Sequence, residues 1–132
     1  WAPKNMGSWL VSSSVKWMVK NTDFRVFTAY SDPEAKELGT IYQACNFHYV
    51  GVMRKGKARK GLLLNGKLYN SRSVRQKFGH FRTKEILEMH PEAEIVMQKS
   101  KDRYFLFRGS KRARKRHAKA IAHLVKPYPK RR

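Results

Sequence analysis

One short segment leaves little choice of local structure. In Leu62-Leu63-Leu64-Asn65-Gly66-Lys67-Leu68-Tyr69 an Asn-Gly pair separates two apolar runs. Asn-Gly supplies the positive φ that both central positions of a tight two-residue turn require, so the segment predicts a β-hairpin. The elements before it run helix, strand, helix, strand. Met6, Leu10, Val11, Val15, Trp17 and Met18 recur at three- and four-residue spacing and predict a helix over 5–21, with Asn5 as N-cap. Residues 24–30 are rich in aromatic and β-branched side chains and predict a strand. Ser31-Asp32-Pro33-Glu34 then opens a second helix over 35–44, either with Asp32 as cap and Pro33 at the first helical position or with Ser31 and Glu34 as a capping box. Residues 47–53 predict another strand.

Beyond the hairpin, two short helices are expected over 71–78 and 83–89, separated by Gly79, the second stopped ahead of Pro91. Residues 94–97 and 103–107 predict a second hairpin around the polar turn 99–102, and Ser110 caps a basic helix that runs to about residue 124. Pro127 and Pro129 leave the last residues extended. The succession is that of an α+β fold: a mixed sheet with flanking helices, a basic hairpin and helical insert, and a basic C-terminal helix. Trp1, Trp9 and Trp17, eight residues apart, are expected on one helical face in a core or an interface. Cys45, on an apolar helix end, reads as a buried small hydrophobe.

Charge decides the class of partner. Against 30 Lys and Arg stand 9 Asp and Glu, a formal charge of +21 on 132 residues. With 41% apolar residues the chain can still bury one modest core, but its surface potential favours nucleic-acid phosphates. Residues 38–84 contain no acid at all. A first basic zone holds Arg54, Lys55, Lys57, Arg59 and Lys60 and continues through Arg72, Arg75, Arg82 and Lys84. A second holds Lys111, Arg112, Arg114, Lys115, Arg116 and Lys119 and ends in Lys130, Arg131 and Arg132. From residue 99 onward 14 cations face the single acid Asp102, more than solubility requires. Interleaved cations without a base-reading motif would neutralise the phosphates of duplex DNA, with weak specificity and steep salt dependence. A base modified inside a duplex must be extruded, and Tyr69, Phe78 or Phe81 would be placed to stack on it or fill the gap.

Several classes are disfavoured. No run approaches the roughly 20 apolar residues of a membrane span, and no secretory leader opens the chain, so an intracellular protein without a membrane partner is expected. A lone cysteine excludes an internal disulfide and a thiolate zinc site. His48, His80, His90, His117 and His123 lack metal-ligand spacing, so no metal is expected, and only His48 adjoins a candidate site.

That site lies in the first third. Asp32 ends a strand and Tyr42 falls on the following helix, so both can face one sheet edge, where ligands of open α/β sheets bind. Lys4 and Asn5, with Ser8 close behind, stand where the first helix begins, an arrangement suited to an anion. On spacing alone, Asp32 could equally be a helix cap and Tyr42 a packed ring with a wet hydroxyl.

The run Asp32-Pro-Glu-Ala-Lys-Glu-Leu-Gly39-Thr-Ile-Tyr42-Gln43-Ala44-Cys45-Asn46-Phe47, ending Tyr49-Val50-Gly51, resembles the Mom family of bacteriophage DNA-modification proteins. There an Asp follows the strand and a Gly-x-x-Tyr-Gln-Ala-Ser-Asn-Phe run follows at this spacing. Ala2-Pro3-Lys4-Asn5 and Ser8 likewise resemble the family's approach to its long helix, so the likeness covers about the first fifty residues. The resemblance implies an acyltransferase-like (GNAT) fold, of which this chain would be the C-terminal half. A preceding segment or a second chain would complete the sheet. It assigns catalysis to Asp32 and Tyr42 and an acyl-CoA-like donor of undetermined identity to Lys4, Asn5 and Ser8. It implies modification of adenine at its exocyclic amine in phage DNA, protecting that DNA against restriction, in the cytoplasm of an infected bacterial cell. The implied domain covers residues 1–109, with an insert at about 54–92, followed by a basic helix and tail over 110–132. A non-catalytic nucleic-acid-binding protein, or an acyltransferase acting on RNA or protein, remain the alternative readings.

Overall fold

The computed structural model describes residues 3–53 and 59–130, so Trp1, Arg54, Lys55, Lys57, Arg131 and Arg132 lie outside the described residues. In chain order the elements are α1 (Met6–Asn21), β1 (Val26–Ser31), a 3-10 turn (Pro33–Ala35), α2 (Thr40–Ala44), β2 (His48–Val52), β3 (Arg59–Leu64) and β4 (Lys67–Asn70). They continue with α3 (Ser71–Phe78), α4 (Thr83–Met89), β5 (Glu94–Gln98), β6 (Asp102–Phe107) and α5 (Lys111–Ile121), the last extended by a 3-10 turn, Ala122–Leu124. They form two units: Trp1–Met53 with Lys101–Arg132, and Arg54–Ser100.

The first unit is built on a sheet of order β1-β6-β2. β6 runs antiparallel to both neighbours, with Ser31 opposite Asp102 on one side and Tyr49 opposite Tyr104 on the other. Side chains alternate across a strand, so Tyr104 and Leu106 point to one face with Ala29 and Tyr49. There they meet Val15 of α1 together with Cys45 and Phe47, in a core that Val11, Met18 and Val19 flank. Ser12 is small enough for close approach, its Oγ 3.3 Å from the Cys45 Sγ, and that thiol donates to the Ser8 carbonyl at 3.3 Å. Cys45 is thus the buried hydrophobe expected. Trp9 and Trp17 are not core residues. Each is 64% exposed, because Val11, Val15, Met18 and Val19 form the inward stripe of α1 and the two indoles fall outside it.

The second unit has the order β4-β3-β5, also antiparallel throughout. Asn65 (φ 50°) and Gly66 (φ 72°) make the predicted turn, with Leu64 opposite Lys67. Val74 of α3 and Ile86 of α4, both fully buried, close a core with Leu62, Leu64 and Ala93. α3 and α4 occupy the residues expected for them, separated by Gly79 at φ 76°.

Four expectations are corrected. The α+β class stands, but the described strands form two antiparallel sheets in place of one mixed sheet; β6 inserts between β1 and β2, so those two like-directed strands never bond. β5 and β6 do not form a hairpin: β5 pairs with β3 and β6 with β1 and β2, each joining the sheet that buries its apolar face. The helix expected over 35–44 is broken, since Lys36 (φ 57°) and Gly39 (φ 63°) are left-handed and a continuous α-helix holds neither. Asn5 precedes α1 but does not cap it with its side chain. It sits at φ 68°, outside the extended conformation that aims a capping oxygen at the helix, and only its carbonyl serves, accepting from Trp9 N–H.

The tail after α5 is extended, as its prolines require, and is tied to β2. Lys126 N–H donates to the Tyr49 carbonyl at 2.8 Å, and the Tyr128 hydroxyl donates to the Phe47 carbonyl at 2.7 Å.

Candidate functional site

β1 ends in the buried Ser31, and the chain then folds back on itself. Asp32 caps the 3-10 turn: its Oδ1 accepts from Glu34 N–H at 3.1 Å, and its own N–H donates to Glu37 Oε2 at 2.8 Å. Its Oδ2 lies 3.7 Å from Lys101 Nζ. The Leu38 carbonyl is held by two donors, the Tyr104 hydroxyl at 2.7 Å and Gln43 Nε2 at 2.8 Å. Gly39 is required here twice over, by its positive φ and because a Cβ would stand 2.7 Å from the Tyr104 ring.

This clamped loop borders a cavity of about 240 Å³ between Ser31, residues 36–41 and Tyr42. Sites for whole drug-sized ligands usually run from roughly 300 to 1,000 Å³, so the volume suits one small ring or group. Tyr42 is half-buried, its ring tilted against Phe47 and Tyr104 with centroids 5.6 Å away in each case. The structure therefore puts Tyr42 on the cavity and Asp32 in the loop beside it. Asp32 is not among the lining residues; its carboxylate serves both as cap and as ion-pair partner.

Beneath the loop lies a group that sequence reasoning missed. The Tyr49 hydroxyl donates to Oδ1 of the buried Asp102 at 2.9 Å. Burial, and then the Asp102 hydrogen bond and charge, push the Tyr49 hydroxyl well above the ordinary phenol range. Burial also raises Tyr104, against a lesser opposing effect of the Gln43 and Ser31 side chains beside it. Both phenols are fixed as protonated donors at neutral pH. The alternation Asp102-Arg103-Tyr104 was a usable signal that the two side chains share a face. Which residues they would meet depended on a pairing with β2 that sequence did not reveal.

Asn5 and Ser8 line a cavity of about 460 Å³ together with Gly7, Thr40 and Ile41, and Lys4 and Asn5 line a second of about 310 Å³ with Met6 and Trp9. The Ser8 hydroxyl turns back to donate to the Asn5 carbonyl at 3.0 Å, and Asn5 makes no side-chain cap. Gly7 lies against Ile41, where a Cβ would stand 2.8 Å from Cδ1, so its smallness serves helix packing.

The basic residues fall on both units. In α5, capped by Ser110 Oγ accepting from Ala113 N–H at 3.2 Å, Lys111, Arg112, Arg114, Lys115, Arg116 and Lys119 are all exposed. His117 anchors this helix by stacking on Phe107 at 5.5 Å, and Phe107 in turn faces His48 at 5.9 Å. In the other unit Lys60, Arg72 and Arg75 are exposed, while Arg59 donates through Nε to the Lys99 carbonyl at 3.0 Å. Of the aromatic residues considered for stacking, Tyr69, Phe78 and Phe81 pack against the core of that unit. No helix of the described residues is long and apolar enough to cross a membrane.

Fold and site together define an α+β protein with a small cavity at a strand end and two strongly basic surfaces. The chain belongs to the Mom protein family, whose model matches residues 1–130. No curated protein matches it.

Proposed function

We propose that this chain is a phage-type DNA-modification protein that alters the exocyclic amine of adenine in duplex DNA and so protects that DNA from restriction, in the cytoplasm of the infected bacterium. Membership of the Mom family over nearly the whole chain carries the reading. In it, residues 1–109 form an acyltransferase-like domain with its insert at about 54–92, and 110–132 a basic arm. The exposed cations of α5 and of the insert hold the phosphate backbone, and the amine-bearing edge of the extruded base enters the cavity of about 240 Å³ beside Tyr42. Asp32, steadied by Lys101, takes the proton that the amine loses as its nitrogen bonds to the transferred group. Tyr42 gives a proton to the leaving group.

Mass spectrometry of nucleosides from cells expressing the chain tests this directly. A new mass on deoxyadenosine is expected, lost in Asp32→Ala and in Tyr42→Phe while DNA affinity is kept. Unaltered deoxyadenosine together with salt-sensitive DNA binding would leave the second reading, a non-catalytic binder, which the density of exposed cations on α5 also supports.

A further inference from the structure

We infer that α3 reads base edges in the major groove, so that the second unit selects the sequence around the modified adenine while α5 contributes affinity only. The inference rests on the DNA reading above and names the part that confers its specificity.

Three side chains carry it. Arg72, Arg75 and Gln76 are exposed at relative positions i, i+3 and i+4, which at about 100° per residue spread over one arc of roughly 100°. Val74, wholly buried, and Phe78, packed on the same core, hold the opposite side. Among the described residues no hydrogen bond, ion pair or ring contact engages any of the three side chains. Four other cations of the unit are engaged. Arg82 pairs with Glu85 at 3.1 Å, Arg59 bonds the Lys99 carbonyl, and Lys67 and Lys77 stand 5.3 and 5.0 Å from the Tyr69 ring centroid. Arg and Gln are the side chains that bind guanine and adenine edges in bidentate fashion; Arg also forks onto phosphate, but Gln76 beside the two arginines adds an amide donor-acceptor pair that matches adenine and that a face serving phosphate alone does not need.

The helix is also stiffly defined. Asn70 Oδ1 accepts from both Arg72 and Ser73 N–H at 3.0 Å, and Gly79 terminates the helix at φ 76°. Its 8 residues make a rod about 12 Å long, and a helix with its side chains is about 10–12 Å across, matching the width of the major groove. Charge orients the approach. Residues 59–79 carry no acid, whereas Glu85, Glu88, Glu92 and Glu94 all lie on α4 or after it. Lys67 of β4 and Lys77 of α3 itself, both near the Tyr69 ring, add positive charge for the phosphates on the groove edge.

The test is selection of bound sequences from a random duplex library by the purified full chain, read by sequencing. The native chain is expected to enrich a short motif. The charge-preserving pair Arg72→Lys and Arg75→Lys, and separately Gln76→Ala, should each flatten it, with discrimination at the contacted position falling roughly tenfold. Lys115→Ala with Arg116→Ala should weaken binding to all sequences alike and leave the motif intact. All these positions are exposed, and thermal melting verifies that each variant folds. A motif that survives both α3 changes, or no motif for the native chain, overturns the inference. Nucleoside mass spectrometry on the same variants separates the two readings. A motif lost from α3 variants of a chain that never modifies adenine sinks the catalytic reading alone. Modification whose sequence context is unchanged in those variants sinks this one alone.

Discussion

Tyr49 is a partly buried residue whose hydroxyl is pushed far from its ordinary titration range. Its hydroxyl is desolvated and donates to a buried carboxylate, so ionisation would set a phenolate against Asp102. A group whose folded pKa lies above its unfolded value, here 10.0, contributes stability that is complete below that value and is lost as pH rises toward the folded one. Tyr104 acts in the same direction. Stability should therefore be insensitive to these phenols up to about pH 10 and fall beyond it, and Tyr49→Phe should flatten that alkaline decline, as denaturant titrations at stepped pH would register. At this scale the sequence was partly legible. The Gly39-x-x-Tyr42-Gln43 spacing marked the loop, but its roles emerge only when Tyr104, 66 residues from Leu38, fills the space over Gly39 and binds the Leu38 carbonyl. Asp32 was legible as a cap, and the Lys101 pair was not, because it too joins distant parts of the chain.

Elements whose signals are local were read well. The Asn65-Gly66 turn, the Ser110 cap and the Gly79 stop each act within four residues, and β3–β4, α3 and α5 lie close to where pattern put them. Ser110→Ala removes the one side-chain cap of a helix that has no acid in its first turn to offset its dipole. The loss should cost about 1 kcal/mol and reduce helicity by circular dichroism. Elements whose limits depend on tertiary partners were misread. The broken helix over 35–44 has good helix formers, and what interrupts it is the hydrogen bonding of the Leu38 carbonyl to Tyr104 and Gln43. β5 and β6, adjacent in sequence with a polar turn between them, look like a hairpin to any local rule. Only the competing gain from burying Ile95 with Leu62, and Tyr104 with Val15, sends them to separate sheets.

On the scale of the whole molecule, charge is the governing term. The cations of α5 are exposed and close in sequence, and each phosphate neutralised releases counterion. DNA affinity should fall linearly on logarithmic axes as salt rises, and removing both Lys115 and Arg116 should reduce the magnitude of that slope by about two, measured by fluorescence anisotropy across a salt series. An unchanged slope would mean that α5 does not touch the duplex. Composition alone determined the charge of +21 that underlies the proposed phosphate contacts, and motif spacing pointed to the family, since neither depends on how distant segments meet. Period and turn chemistry likewise determined most element types, because helices and hairpins are stabilised by neighbours a few residues away. Which strand lies beside which, why Trp9 and Trp17 face solvent, and how Asp102, Tyr49 and Tyr104 gather under the cavity were decided by tertiary structure. Each follows from burying apolar area and satisfying buried hydrogen bonds across long sequence separations, a balance that no local pattern records.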